Sequence, residues 1–588
     1  MKLQTTPFQL TTPGKSPYFL HWLAYVSEYF LGLKKLDAYY RQRRNNMSSR
    51  EFLRFSLEKL GINYTMASGD GKDIPQQGPV IVVANHPYGA IEAFMLADLL
   101  LQQRSDVKVL TKEYLHSIDE LSELFIGINL VEKGSSNNSN IQGINEAVKH
   151  LNNNGLLLVF PAGKVSTFQF NNRKIHDHKW NSIIAMLARK TSASTTPIYI
   201  EGHNSNWFHL ASLLHPLLST LLLPREVLNK RQQLIKLHIG ETIACSELKT
   251  LPSDEAITDY LRLNTYLLNN QVKNKNDINV KNKRSMQTIA LPVDKQKLQD
   301  DINTLTDDTL LLSKGIFSVY CAKAEQLPNV LQEIGRLREI TFRQVAEGTG
   351  FSTDLDNYDE QYLHMFIWNG EQQEIVGAYR LGLVDKIMAR SGINALYSRS
   401  LFRYRSKFIK DMGVPIEMGR SFIRPEFQRS LGALLLLWKG IATFAAHNPK
   451  YTTLFGPVSI SSGYSELSRN LMMHFLQLHH YDHKRAKMVK ATHPQKELSS
   501  IFWTKRMLMA LKDNLLISKL VYRMEGDKGL PIILKQYLGL NGKLVSFNLD
   551  KEFNNTLDGM IIVDLLQVPE KILAKYMGKE NAKNYLNR

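Results

Sequence analysis

The chain has 588 residues and 43% hydrophobic content, room for three or four domains at roughly 150 residues each. Cys245 and Cys321 are its only cysteines, which excludes a disulfide framework and a Cys-rich zinc site; no metal is expected. The net charge of +18 calls for an anionic partner, and with no zinc-finger, helix-turn-helix or RNA-binding pattern nucleic acid is set aside, leaving an anionic membrane surface or an acidic protein.

The first residues, Met1 to Pro7, lack the apolar stretch of a signal peptide, so a cytoplasmic protein is expected. No segment offers the ~20 apolar residues of a membrane-spanning helix. Two segments suit a bilayer surface instead. Tyr18 to Leu36 places Phe19, Leu23, Val26, Phe30 and Leu33 on one helical face, with Trp22 and Tyr29 beside them and Lys34-Lys35 at the end. Leu210 to Leu223 is Leu-rich around Pro216 and is followed by Arg225 and Lys230. Apolar faces with aromatics and flanking cations mark interfacial helices; residues 1–50 are expected to be such helices, peripheral on the cytoplasmic face of the inner membrane.

Val80 to Ala84 reads as a buried strand that runs into Asn85-His86-Pro87-Tyr88-Gly89-Ala90-Ile91-Glu92. A strand ending in such a turn presents His86 at a site mouth, with Glu92 on the first turn of a helix. The pair fits an imidazole that accepts a proton from an alcohol and a carboxylate that holds the ring. Gly155 to Phe160 is another strand, running into Pro161-Ala162-Gly163-Lys164-Val165-Ser166, and Thr196 to Ile200 is a third, leading into Glu201-Gly202-His203-Asn204. Strands alternating with helix-patterned stretches argue for an α/β domain with functional loops at the strand ends. Asp254 to Leu268 forms its closing helix.

On these blocks, the region from about Phe52 to Ile243 resembles the glycerolipid acyltransferase superfamily, and is closer to its "hemolysin-like" branch. That branch reads Asn-His-Pro-x-Gly-x-x-Asp in its first block and Phe-Pro-Ala-Gly in its third. The resemblance implies an O-acyltransferase domain at 51–268, with His86 and Glu92 catalytic and Asn85, Pro87, Gly89, Phe160, Pro161, Gly163 and Lys164 meeting substrate. Glu92 stands one position later than the common superfamily spacing, as in the hemolysin-like branch, and glutamate adds one methylene to the aspartate there. Ala162 replaces the glutamate that helps glycerolipid enzymes seat their acceptor, which argues against glycerol phosphate as substrate. Lys164 offers a cation to a carboxylate or phosphate.

From Asn269 the composition turns polar, as in Lys273-Asn274-Lys275-Asn276-Asp277 and Lys281-Asn282-Lys283-Arg284, too polar to offset its own ordering entropy; residues 269–310 are expected to be a linker. Beyond it Leu331 to Phe342 reads as a helix. An acidic loop, Asp354 to Glu360, and strand-like runs Leu363 to Trp368 and Ile375 to Arg380 follow. Ile416 to Ile423 alternates as a strand carrying Glu417 and Arg420. It meets Arg429-Ser430-Leu431-Gly432-Ala433, which opens an apolar helix from Leu434 to Phe444. Backbone amides freed by glycine at a helix N-terminus suit the phosphates of a pantetheine carrier.

From about Ile316 to Leu566 the chain resembles the acyl-transferring branch of the GNAT superfamily, closest to ornithine lipid N-acyltransferases and more distantly to acyl-homoserine lactone synthases. The shared marks are Arg338 and Phe342 on the helix, Asp356 and Asp359 in the acidic loop, Arg380, the pair Glu417 and Arg420, and the loop from Arg429 to Leu434. Leu434 replaces the small final residue of that loop. The resemblance implies a mixed-sheet N-acyltransferase domain at 311–588. In it Glu417 takes the proton of an amine, Asp356 and Asp359 bind amino groups, Arg380 or Arg420 holds a carboxylate, and Arg429, Gly432 and Ala433 seat the carrier's phosphates.

The expected fold class is therefore α/β (α+β), two acyltransferase domains joined by a polar linker. The order of halves resembles the bifunctional ornithine lipid synthases: an amino acid is N-acylated with a 3-hydroxyacyl group, and the hydroxyl of that lyso-aminolipid is then O-acylated at His86. The donor is acyl-ACP or acyl-CoA, so an acyl carrier protein is the expected protein partner and no permanently bound cofactor is required. The alternative is a lysophospholipid acyltransferase with a regulatory second domain, against which Ala162 speaks.

Overall fold

A computed structural model describes residues 8, 26–111, 118–128, 137–169, 173–270, 286–428, 431–498 and 501–587. The chain forms two compact units. One comprises Met1–Lys273 with Phe502–Leu511, the other Asn274–Ile501 with Lys512–Arg588.

Among the described residues the first unit is built on nine strands: β1 (Asn63–Ser68), β2 (Val80–Ala84), β3 (Val107–Thr111), β4 (Phe125–Gly127), β5 (Leu156–Val159), β6 (Thr167–Gln169), β7 (Lys174–His176), β8 (Ser194–Ile200) and β9 (Leu234–Ile239). Seven make one sheet in the order β1-β9-β8-β2-β5-β3-β4, and β6 and β7 pair as a hairpin. β8, β2, β5, β3 and β4 run parallel, while β9 turns antiparallel to β8. Both faces of the central strands are covered, which is why β2 and β5 read as unbroken apolar runs. Val80, Val82, Leu156 and Leu158 join the helices Ser49–Leu60 and Ile91–Leu101 in one core. Ile81, Val83, Leu157 and Val159 are equally buried on the face reached by the helices Asn137–Asn152 and Asp254–Leu267. Because β8, β2 and β5 are parallel neighbours, the blocks after Ala84, Val159 and Ile200 emerge at one edge, where α/β sheets bind ligands.

The second unit holds β10 (Leu310–Lys314), β11 (Phe317–Lys323), β12 (Leu363–Asn369), β13 (Glu374–Leu383), β14 (Phe402–Arg403), β15 (Pro415–Ile423), β16 (Thr453–Ile460), β17 (Lys490–Ala491), β18 (Lys543–Asp550) and β19 (Thr556–Asp564). Its eight-stranded sheet has the order β10-β11-β12-β13-β15-β16-β19-β18, and β14 and β17 form a separate pair. Pairing is antiparallel throughout the large sheet except between β15 and β16. Helix Pro328–Gln344 packs through Val330, Ile334 and Leu337 onto Phe366, Trp368, Ala378 and Phe422. Helix Leu431–His447 reaches the sheet at β10 to β13.

Two boundaries differ from the sequence reading. The expected linker includes the helix Lys295–Thr304, whose Leu298 and Ile302 belong to the second unit's core; two apolar residues among eight polar neighbours gave too little periodicity to show it. The part at 271–285 lies outside the described residues. Phe502–Leu511, expected in the second domain, belongs to the first unit: Trp503, Met507 and Leu508 are buried, Phe502 stacks 5.4 Å from Tyr266 and Arg506 pairs with Asp259 at 3.0 Å. Among the described residues no helix is long and apolar enough to cross a membrane.

Candidate functional site

In the first unit the turn after β2 brings His86 and Glu92 together: Nδ1 of the ring is 2.7 Å from Glu92 Oε1. Glu92 is fully buried, and the same oxygen accepts the amides of Tyr88 at 3.0 Å and Gly89 at 2.8 Å. Two amide donors on one oxygen fix the carboxylate, and its charge 2.7 Å from Nδ1 favours the tautomer with its proton there. Nε2 is then left with the lone pair a general base needs. The ring lies against Phe160, 4.9 Å between centroids, and its side chain keeps 16% exposure, enough to meet a substrate hydroxyl.

Asp177, which the sequence reading missed, anchors the backbone of His86. Its carboxylate accepts the His86 amide at 3.1 Å, the Ser166 hydroxyl at 2.5 Å and the Trp180 indole at 2.8 Å. Ser166 in turn donates its amide to the His86 carbonyl at 2.8 Å. Nothing local marks Asp177 in the sequence, because its partners come from two loops that only the fold joins. Asp177→Ala is expected to cost roughly 1.5–3 kcal/mol of stability, read as a lowered denaturant midpoint.

Asn85 was expected to meet substrate. The structure spends it elsewhere: buried at the end of β2, its amide donates to the Ile200 carbonyl at 2.9 Å and accepts the Ile200 amide at 2.7 Å, clamping β8 where the ladder ends. Pro87 is buried, Gly163 closes a tight turn with its amide on the Phe160 carbonyl at 3.1 Å, Pro161 accepts the Asn181 amide at 2.8 Å, and Lys164 is exposed. Across the turn, Tyr88 donates its hydroxyl to the Glu201 carbonyl at 2.7 Å. Gly202 follows with φ +106°, where a Cβ would lie 1.8 Å from that hydroxyl; only glycine fits.

The second unit's main feature is a cavity of about 810 Å³ where two strands part. β15 and β16 pair only at Pro415–Thr453, Ile416–Leu454 and Glu417–Phe455. Beyond that the cavity opens between Met418–Ser421 and Pro457–Ser461. At the fork Gly456 lets the Met418 carbonyl approach so closely that a Cβ there would sit 2.2 Å from it. Main-chain groups beyond the fork have no ladder partner from the other strand, and must be satisfied by solvent or ligand. Apolar walls come from Leu530, Pro531, Ile533, Tyr379 and Tyr537, and four carboxylates, Glu347, Asp527, Asp550 and Asp558, share the lining. Burial, opposed by Arg420 and assisted by Asp550, pushes the Glu347 carboxyl up to about 7. Burial and then Asp550 hold Asp558 well above the usual carboxylate range.

The residues the resemblance singled out do converge, but largely on one another. Asp359 pairs with Arg338 at 2.8 Å and Arg380 at 3.2 Å; Asp356 pairs with Arg380 at 2.5 Å and Arg420 at 3.3 Å; Arg420 also meets Asp354 at 3.2 Å. Burial alone would raise Asp359, and Arg338 with Arg380 outweighs it and holds the carboxyl low. Asp356, Asp359 and Arg380 are therefore committed to this network and do not line the cavity; Arg420 does, with a left-handed φ of +50° that the network holds in place. Arg338→Leu is expected to cost about 3–5 kcal/mol, since it strands a buried carboxylate. The Asp359 contribution is present above its unfolded value near pH ~4 and lost as pH falls through the lowered folded value; urea unfolding across acid pH measures both.

Glu417, expected to be the base, is buried behind the cavity wall. It accepts the Tyr362 hydroxyl and the amides of Tyr397 at 3.1 Å and Ser398 at 2.7 Å, and burial, partly offset by these donors, raises its carboxyl. Its place on β15, not the residue type, keeps it out of the cavity lining. Gly432 and Ala433 line a different, apolar cavity of about 440 Å³ with Phe317, Val376 and Leu436, and Arg429 lies outside the described residues.

A family model described as Acyltransferase matches residues 26–275, and one described as Acetyltransferase (GNAT) domain matches residues 337–439. The glycine N(alpha)-acyltransferase of Bacteroides thetaiotaomicron is 31% identical over 307 residues, 48% of this chain and 88% of that protein. The chain belongs to that acyltransferase family. The glycine N(alpha)-acyltransferase of Phocaeicola vulgatus is 32% identical over 210 residues, 34% of this chain and 64% of its own length, just under two thirds. Two structures of a CoA-dependent acyl-homoserine lactone synthase, one with SAM and isopentyl-CoA and one with MTA, are 15% identical over 24% of this chain and 66% of theirs. Their TM-score of 0.17 is too low to carry an argument. The chain is thus an enzyme of the acyltransferase class with two acyltransferase-type domains.

Proposed function

We propose that this acyltransferase makes a two-chain aminolipid at a membrane surface, in two thioester-dependent steps. The second unit joins a 3-hydroxyacyl group to the amine of a small α-amino acid, and the first esterifies the resulting hydroxyl. Glycine is the first candidate head group, on the strength of the two relatives; the resemblance to ornithine lipid enzymes makes ornithine the next. The observation that carries the reading is that one chain holds a base suited to an alcohol, His86 over Glu92, and a fork-shaped cavity whose acids suit an amine.

In the cavity, the unpaired edges of β15 and β16 offer strand-like hydrogen bonds to the extended pantetheine arm of acyl-ACP or acyl-CoA, and the apolar walls take the acyl chain. An α-amine must lose a proton before it attacks. Glu347, near 7, is matched to accept that proton at neutral pH; the nitrogen bonds to the carbonyl carbon and the pantetheine thiolate leaves, taking a proton. Arg420, on the wall, is the cation for the amino acid's carboxylate. In the first unit Nε2 of His86 takes the hydroxyl proton as the oxygen attacks the second thioester, then returns it to the leaving thiolate, while Glu92 stabilises the imidazolium between.

Lipid mass spectrometry of a host without aminolipids tests this. Expression is expected to yield an N-acylated amino acid carrying a second, ester-linked chain, whose head-group mass names the amino acid. Absence of any amino-acid lipid, with a gain in lysophosphatidate acylation, would overturn it.

A further inference from the structure

Helices Asn206–Leu214 and Pro216–Asn229 form a hairpin in the first unit whose surface is unlike that of a water-facing helix pair. Trp207 is 76% exposed, Leu214 73% and Leu217 66%, and Leu210, Leu213, Leu218 and Leu221 are exposed with them. From Asn206 to Pro224 the sequence has no Asp, Glu, Lys or Arg. Soluble surfaces rarely leave so continuous an apolar patch uncovered.

The root of the hairpin is polar and fixed. Buried Glu226 accepts the Ser205 amide at 2.9 Å and hydroxyl at 2.5 Å; Lys230 donates to the His203 carbonyl at 2.9 Å and lies 5.1 Å from the Tyr88 ring. Leu223 reaches the His86 turn itself, since a Cβ on Gly89 would lie 3.2 Å from it. At the same end Gly32 packs on Leu228 beside Arg225, two residues after the exposed Tyr29 and Phe30. Arg225, Arg231 and Lys35 are exposed around this root.

We propose that this hairpin docks the protein on an anionic bilayer, sinking its leucines and Trp207 among the lipids so that a membrane-resident acceptor enters beside Gly89 and meets His86. An apolar, uncharged tip with aromatics and cations behind it is the arrangement of an interfacial helix. From Trp207 to Leu221 no charged residue interrupts the leucines, and the exposed cations Arg225, Arg231 and Lys35 gather at the root, where an anionic headgroup layer would meet them. The docking stands on this surface alone; the delivery of acceptor rests on the proposed ester-forming role of His86.

The test uses the full chain and flotation with vesicles of phosphatidylethanolamine and phosphatidylglycerol, against vesicles of phosphatidylcholine alone. The parent is expected to float with the anionic vesicles. The variant Trp207→Ser, Leu214→Ser, Leu217→Ser is expected to lose about tenfold or more in partitioning, with its thermal midpoint and amide-forming activity unchanged. The proposal is overturned if the parent stays in solution, if the variant floats equally well, or if the parent sediments as a dimer that the variant dissolves. His86→Ala keeps vesicle binding while losing ester formation; if it retained both, the ester chemistry would fall and the docking would stand.

Discussion

His86→Ala is expected to lower ester formation by roughly 10²–10⁴-fold, the usual worth of a positioned general base, while amide formation continues and the single-chain lipid accumulates. The expectation follows from the 2.7 Å contact between Nδ1 and Glu92, which directs Nε2 outward, and from the Phe160 ring that fixes the imidazole plane. Glu92→Gln should fall between parent and His86→Ala: an amide oxygen still accepts the Tyr88 and Gly89 amides, but the charge facing the imidazolium is gone. Steady-state rates with a purified 3-hydroxyacyl amino acid and an acyl thioester measure both. Unchanged ester formation in His86→Ala would remove the first unit from the reaction.

The second large effect concerns Glu347. A base must be deprotonated to act, and a carboxyl held near 7 makes amide formation rise with pH through an inflection at about 7 and level only above it. Glu347→Gln is expected to cut the rate roughly 10²–10⁴-fold and to erase that inflection from the residual activity. Glu417→Gln disturbs the Tyr362, Tyr397 and Ser398 donors instead; it should lower stability and rate together and keep the inflection. A profile in which Glu417→Gln, not Glu347→Gln, loses the inflection would return the base to Glu417.

The blocks that showed in the sequence are those whose geometry is local. Asn85 to Glu92 is one turn between a buried strand and a helix, so His86 and Glu92 meet wherever that turn forms. The apolar runs of β2 and β5 announced a sheet covered on both faces. Motif residues of the second unit were equally visible, yet their roles were not. Asp356, Asp359 and Arg380 carry the charges a substrate would want, and only packing shows that they are spent on one another and on Arg338. Asn85 carries a polar side chain beside the base, and only the neighbouring strand shows that Ile200 consumes it.

The amino-acid sequence by itself determined the buried strands and the His–Glu turn of the first half, because turn chemistry and strand periodicity act over a few residues; the two acyltransferase domains were legible through their resemblance to known families. The tertiary structure alone decided which acids face a cavity. Glu347 lies far along the chain from Asp527 and from Asp550 and Asp558 of the β18–β19 hairpin; they share one cavity because β15 and β16 part after three pairs and the loops around them close over the gap. Burial then sets their protonation, and burial is a property of the packed molecule that no single segment encodes.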